Sequence, residues 1–186
     1  MTGIVMTQFR YLGEDIERQV GHKKYRYLYF WMTISFIGIL FYRLERSLFL
    51  IFGNSYSVIR LLGLPIFQLI KALSNIDIHY KADVKGGILI LHHSIGVVIS
   101  GNAIIGNHIT LTGGNVIGVN RKCTKGSFVI GNYCNLGANA TIIGPLKLGD
   151  NIKIGASACV TKSFNGNLTL VGVPAREKHV KNPSNN

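Results

Sequence analysis

The chain has 186 residues, 22 of them glycine, with three cysteines and a net charge of +12. That length holds one sizeable domain, or a domain with an appendage. With no CxxC spacing, neither a zinc site nor a disulfide framework is indicated, so a reducing, cytoplasmic setting and no metal are expected.

The basic excess runs through the whole chain: 9 Lys and Arg against 4 acids in residues 1–76, and 11 against 4 in residues 77–186. Such a field favours anionic partners, phosphates or acidic lipid surfaces. No recognised nucleic-acid module accompanies it, so nucleic acid is not an expected partner.

Residues 1–76 read as a helical, apolar and basic N-terminal region. Tyr27 to Tyr42 is sixteen residues without a charge, flanked by Lys23, Lys24 and Arg26 and then by Arg43 and Arg46. That falls just short of the roughly 18–20 residues that argue for a bilayer span. Three readings stay open: helices packed as core on the following domain, helices lying on an anionic membrane surface, or a true span. The second would make a cytoplasmic protein peripheral on the inner face of the membrane. Gly53-Asn54-Ser55 marks a turn, and Pro65 is expected near a helix start.

From residue 77 the texture changes. Ile130, Leu136, Ile142, Leu148, Ile154 and Val160 recur every sixth position, and Ile99, Ile105, Leu111 and Ile117 carry the same rhythm upstream. A period of six fits neither a helix nor an ordinary strand. It fits a solenoid in which each short strand adds one inward side chain before the chain turns a corner. The rhythm breaks once, between Ile117 and Ile130, where the basic stretch 119–127 reads as a protruding loop. Residues 77–178 therefore form a repeat domain, and 179–186 a polar tail.

His92 and His93 lie at the opening of the repeat, and a histidine is the natural general base near neutral pH. With coils of three hexads, Asp77 would lie nearly one coil from His93, where a carboxylate can fix the imidazole tautomer.

Asp77-Ile78-His79, then Gly87-Ile88, His93-Ser94-Ile95-Gly96-Val97-Val98-Ile99 and Gly172-Val173-Pro174-Ala175-Arg176 occur in the order seen in serine-acetyltransferase-like proteins. Over residues 76–178 the chain resembles these hexapeptide-repeat acyltransferases. The resemblance implies a mainly β fold, a left-handed parallel β-helix after the helical region. It also implies a homotrimer with active sites between subunits, and acetyl-CoA as acyl donor. Counted back from Gly96, His93 matches the family's base; counted forward from Gly87, His92 does. His93 is preferred, with His92 next to the acceptor and Asp77 as the dyad acid.

By the same resemblance Gly118, Ala138 and Ala156 are the small residues expected along the pantetheine arm. Lys153, Lys162 and Arg176 are the cations expected at the CoA phosphates. Arg121 and Lys122 in the loop are the expected acceptor contacts. Where the serine enzymes carry an aspartate before the base, this chain has His92. The expected acceptor is therefore a hydroxyl of a bacterial surface saccharide or its precursor, as in O-acetyltransferases of the capsule and lipopolysaccharide type. Serine O-acetylation for cysteine synthesis is the alternative, and a non-catalytic membrane-associated scaffold is the alternative outside enzymes.

Overall fold

A computed structural model describes residues 2–21, 33–120, 122–124 and 126–178. Three 19-residue helices, α1 (Thr2–Val20), α2 (Ile34–Phe52) and α3 (Tyr56–Ser74), precede fifteen short strands. The chain winds these strands into a left-handed parallel β-helix with three sheets. The first sheet holds β1 (Ile76–Ile78), β4 (Val97–Ile99), β7 (Asn115–Val119), β10 (Thr141–Gly144) and β13 (Cys159–Val160). The second holds β2 (Asp83–Val84), β5 (Ile104–Ile105), β8 (Val129–Ile130) and β11 (Lys147–Leu148). The third holds β3 (Leu89–Ile90), β6 (Thr110–Leu111), β9 (Asn135–Leu136), β12 (Lys153–Ile154), β14 (Thr169–Val171) and an antiparallel β15 (Arg176–Glu177).

The six-residue rhythm is the inner lining of this prism. Ile99, Ile105, Leu111, Ile117, Ile130, Leu136, Ile142, Leu148, Ile154 and Val160 are all buried, each in a strand and stacked on its counterpart one coil away. Val98 faces Val116, eighteen residues on, the coil length that three hexads demand. Two coils are longer. Val116 faces Thr141 because the chain between Val119 and Val129 leaves the rhythm, although Cys123 still packs against the core. Asp77 faces Val98 because a 3₁₀ turn, His93–Ile95, adds three residues at a corner.

The helices cover the open end of the first coil. Arg43 is the centre of that contact: its Nε lies 2.9 Å from Asp15 on α1, and its terminal nitrogens donate to the carbonyls of Val84 (2.7 Å) and Lys85 (2.8 Å). Asp15 in turn accepts the Ile88 N–H at 2.7 Å. Tyr42 donates to the Ala82 carbonyl and accepts from the Val84 N–H. These side chains satisfy strand groups that have no preceding coil to pair with. Burial pushes the Asp15 carboxyl up, and the Arg43 guanidinium and the Ile88 and Gly87 amides pull it back.

Two expectations change here. Pro65 lies inside α3 rather than near its start. Its ring sits on the exposed face, where a missing N–H hydrogen bond is the main cost. Tyr27–Tyr42 is described only from residue 33 onward. There it continues into α2, whose Arg43 and Arg46 are built into the contact with the first coil, an arrangement that a bilayer-spanning α2 would not permit. α2 and α3 instead fold back on each other at Gly53–Ser55, with Phe41 and Phe67 rings 5.3 Å apart.

Arg43→Met should therefore cost about 3–5 kcal/mol, because it strands a buried carboxylate. The deficit, followed by chemical unfolding, should shrink as pH falls from 7 towards 5. Without the guanidinium the folded state protonates Asp15 more readily than the unfolded chain does, so charging it is less of a burden at low pH.

Candidate active site

The corner between the third and first sheets brings the histidines and the small residues into one column. In the first coil it is formed by His92 and the His93–Ile95 turn, and in the second by Gly113-Gly114. Ala138-Asn139 and Ala156-Ser157 form it in the next two. Hydrogen bonds run up the column: Gly114 N–H to the Gly96 carbonyl (2.6 Å), Asn139 N–H to Gly113 (2.9 Å) and Ser157 N–H to Ala138 (2.8 Å). His92 is exposed and its N–H donates to the Thr112 carbonyl. His93 is half-buried and its carbonyl accepts from the Gly96 N–H.

Gly113 must be glycine for two reasons. Its φ of +129° disfavours a side chain, and a Cβ there would clash with the His92 carbonyl oxygen. Asn115 braces the same corner from inside. It is buried, accepts the Gly113 N–H at 2.9 Å and donates to the Gly137 carbonyl at 2.8 Å. Sequence reasoning assigned Asn115 no role, although a lone amide at the head of an apolar strand, in Gly113-Gly114-Asn115-Val116-Ile117, signals a buried hydrogen-bonding duty.

Asp77 is not the vertical neighbour of His93. The three-residue excess of the first coil puts it opposite Val98, and its carboxylate pairs with Lys71 of α3. Among the described residues no hydrogen bond or ion pair joins it to either histidine. Asp77 and the histidine turn do share a shallow concavity of about 420 Å³, lined by Lys71, Asp77, Ser94, Gly96, Val98 and Val116. Lys71, unremarked in the sequence, thus becomes part of the site's electrostatics.

The other expected residues divide. Ala138 and Ala156 lie in the column, as does Gly172 of the Gly172–Arg176 motif, whose N-terminal end turns the chain back over the last coil. Lys153 and Arg176 are exposed on the third sheet. Lys162 lies beyond the far end of the first sheet, its ammonium 5.3 Å from the Phe164 ring, so it does not join them. Gly118 sits towards that same far end of β7, opposite Ile143, and not in the column. Both placements have one cause: hexad position fixes which residues face inward but not which corner they border. Lys122 is exposed in the loop, and Arg121 lies outside the described residues. The loop's Cys123 and Thr124 border a separate cleft of about 450 Å³ with Arg46, Lys81 and Asp83.

His79 stacks on Tyr80 at 4.4 Å and accepts the Lys81 N–H through Nδ1. Burial, then the nearby Lys71, Arg60 and Lys81, push its pKa down, which keeps the ring neutral in this packed position.

No family model matches the chain. It is 33% identical over 140 residues to a serine acetyltransferase of Helicobacter pylori, covering 75% of this chain and 78% of that one. It is 34% identical over 131 residues to a serine acetyltransferase of Mycobacterium tuberculosis, covering 67% and 55%. The chain spans about half the length of the first curated relatives it matches. Among solved structures, soybean serine acetyltransferase superposes with a TM-score of 0.76 at 28% identity, covering 92% of this chain and 69% of that one. A Neisseria gonorrhoeae serine acetyltransferase in complex with serine gives 0.75 at 27%, covering 96% and 70%. A serine acetyltransferase in complex with CoA gives 0.63 at 28%, covering 78% and 57%.

Gly113→Ala should cost about 2 kcal/mol or more in a urea titration, since strain at φ and the clash with the histidine turn add. A neutral result would mean that the turn gives way freely.

Proposed function

The chain belongs to the serine acetyltransferase family, and from that premise we propose that it moves the acetyl group of acetyl-CoA to the hydroxyl of L-serine. The observation that carries the reading is the histidine turn at the foot of a column of small residues, in a chain that matches most of the H. pylori relative. A surface saccharide, the acceptor expected from residue 92 and the short N-terminal region, has no support among these relatives.

The reading needs little from the protein. His93 takes the proton of the acceptor hydroxyl as its oxygen attacks the thioester carbonyl. The C–S bond then breaks, and the imidazolium returns the proton to the leaving CoA sulfur, so the products are the acetyl ester and free CoA. Holding both substrates in line supplies much of the remaining advantage. The small side chains of Ala138 and Ala156 leave room for the thiol arm, and the exposed Lys153 and Arg176 of the third sheet are the cations for its phosphates. Asp77, paired with Lys71, would need to exchange that partner to act on His93.

In this reading the enzyme works as a homotrimer, supported by the exposed Val98 and Val116 on the outer face of the first sheet. Its three free cysteines suit the reducing cytoplasm. Two features favour a second reading, the saccharide hydroxyl. Position 92 is a histidine where an acid would hold the serine ammonium, and the Asp77 charge is already met by Lys71.

Free thiol should appear when acetyl-CoA is mixed with L-serine. His93→Ala should lower that rate about 10²–10⁴-fold with the melting temperature unchanged. Loss on His92→Ala alone would move the base by one residue. Thiol release with glycan acceptors only would select the second reading, and none with any acceptor would favour a silent scaffold.

A further inference from the structure

The α2–α3 hairpin presents an outer face without a single charge. Its charged side chains are all paired: Arg43 with Asp15, Arg46 with Asp83, Glu45 with Arg60 and Lys71 with Asp77. What remains outside is apolar. On α3, Val58, Leu61, Leu62, Ile66, Leu69 and Leu73 are exposed, Leu62 to 88% and Val58 to 70%. On α2, Ile34, Ile37, Leu44, Leu48 and Phe52 extend the same surface. Its exposed polar side chains are Asn54, Ser55 and Ser57 at the hairpin bend and Gln68.

We infer that this face is a docking surface for a bilayer rich in anionic lipid. Two observations select that occupant over a protein. Interfaces between proteins carry a polar rim and regular hydrogen-bonding groups, whereas here uncharged side chains run along both helices and every charge on them is paired with another residue of the chain. The chain as a whole is strongly basic, at +12. Arg10 on α1 is exposed, and Lys23, Lys24 and Arg26 precede α2 in the sequence. An apolar face set in a basic protein is the pattern of helices that lie in the headgroup boundary, with charge adding attraction to an acidic leaflet. The inference does not depend on which acceptor the enzyme uses.

The test is co-sedimentation of the full chain with vesicles of phosphatidylcholine alone or mixed with phosphatidylglycerol. The wild type should sediment with the mixed vesicles about tenfold more than with the neutral ones. Leu62→Glu and Val58→Glu, at positions too exposed to disturb folding, should each remove most of that binding while the melting temperature holds. The inference fails if the wild type ignores both vesicles, or if the two variants sediment as it does. It fails equally if the variants lower the mass seen by light scattering while the wild type binds no vesicle, which would assign the face to a second copy.

Discussion

Every coil of the solenoid makes its backbone hydrogen bonds to the coils above and below, so residues at equivalent positions must stack. This vertical register is the constraint on which the remaining architecture rests. It turns one aliphatic side chain per strand into a continuous buried file, Ile99–Ile117–Ile142–Val160 along the first sheet. It also makes local insertions visible, since residues added between strands must leave the prism at a corner. The chain does this twice: the histidine turn in the first coil lies at the candidate site, and the basic loop after β7 borders the separate cleft with Arg46, Lys81 and Asp83.

The stacked coils do not explain how the first one ends. A strand with no coil beneath it leaves amides and carbonyls unpaired, and the helical region supplies their partners through Tyr42, Arg43, Arg46 and Asp15. The arginines of α2 therefore hold the helices to the solenoid. That is why an apolar segment with embedded arginines is a docked helix here, and why its opposite side is left so greasy.

The sequence makes the inner file legible because burial in a parallel coil demands an aliphatic residue at every sixth place, and nothing else in a protein has that period. It also locates the loop, since thirteen residues cannot fit two hexads. The pairing of Asp77 is a different matter. Its reading assumed coils of eighteen residues, and the 3₁₀ turn at His93–Ile95, set by contacts with Gly96 and Gly114, has no signature in hydropathy. The cations of the CoA-binding expectation separate for a related reason: Lys153 and Lys162 look alike in sequence but lie on different sides of a triangular section. α1 drew no specific expectation, because its apolar residues are diluted by Gly3, Gly13, Glu14, Asp15 and Glu17.

The chain also reverses direction at its far end. β15 runs antiparallel to β14, while the Cys159 N–H donates to the Gly172 carbonyl and the Ala175 N–H donates to the Cys159 carbonyl. A stack of parallel coils is open-ended by nature, since its last rung offers the template that its first rung would accept. Here one mouth is plugged by helices and the other by a reversed strand bearing Arg176, Glu177 and Lys178 at its surface. Head-to-tail polymerisation, the standing hazard of edge strands, is opposed by the helices at one mouth and, along the third sheet, by the reversed strand at the other.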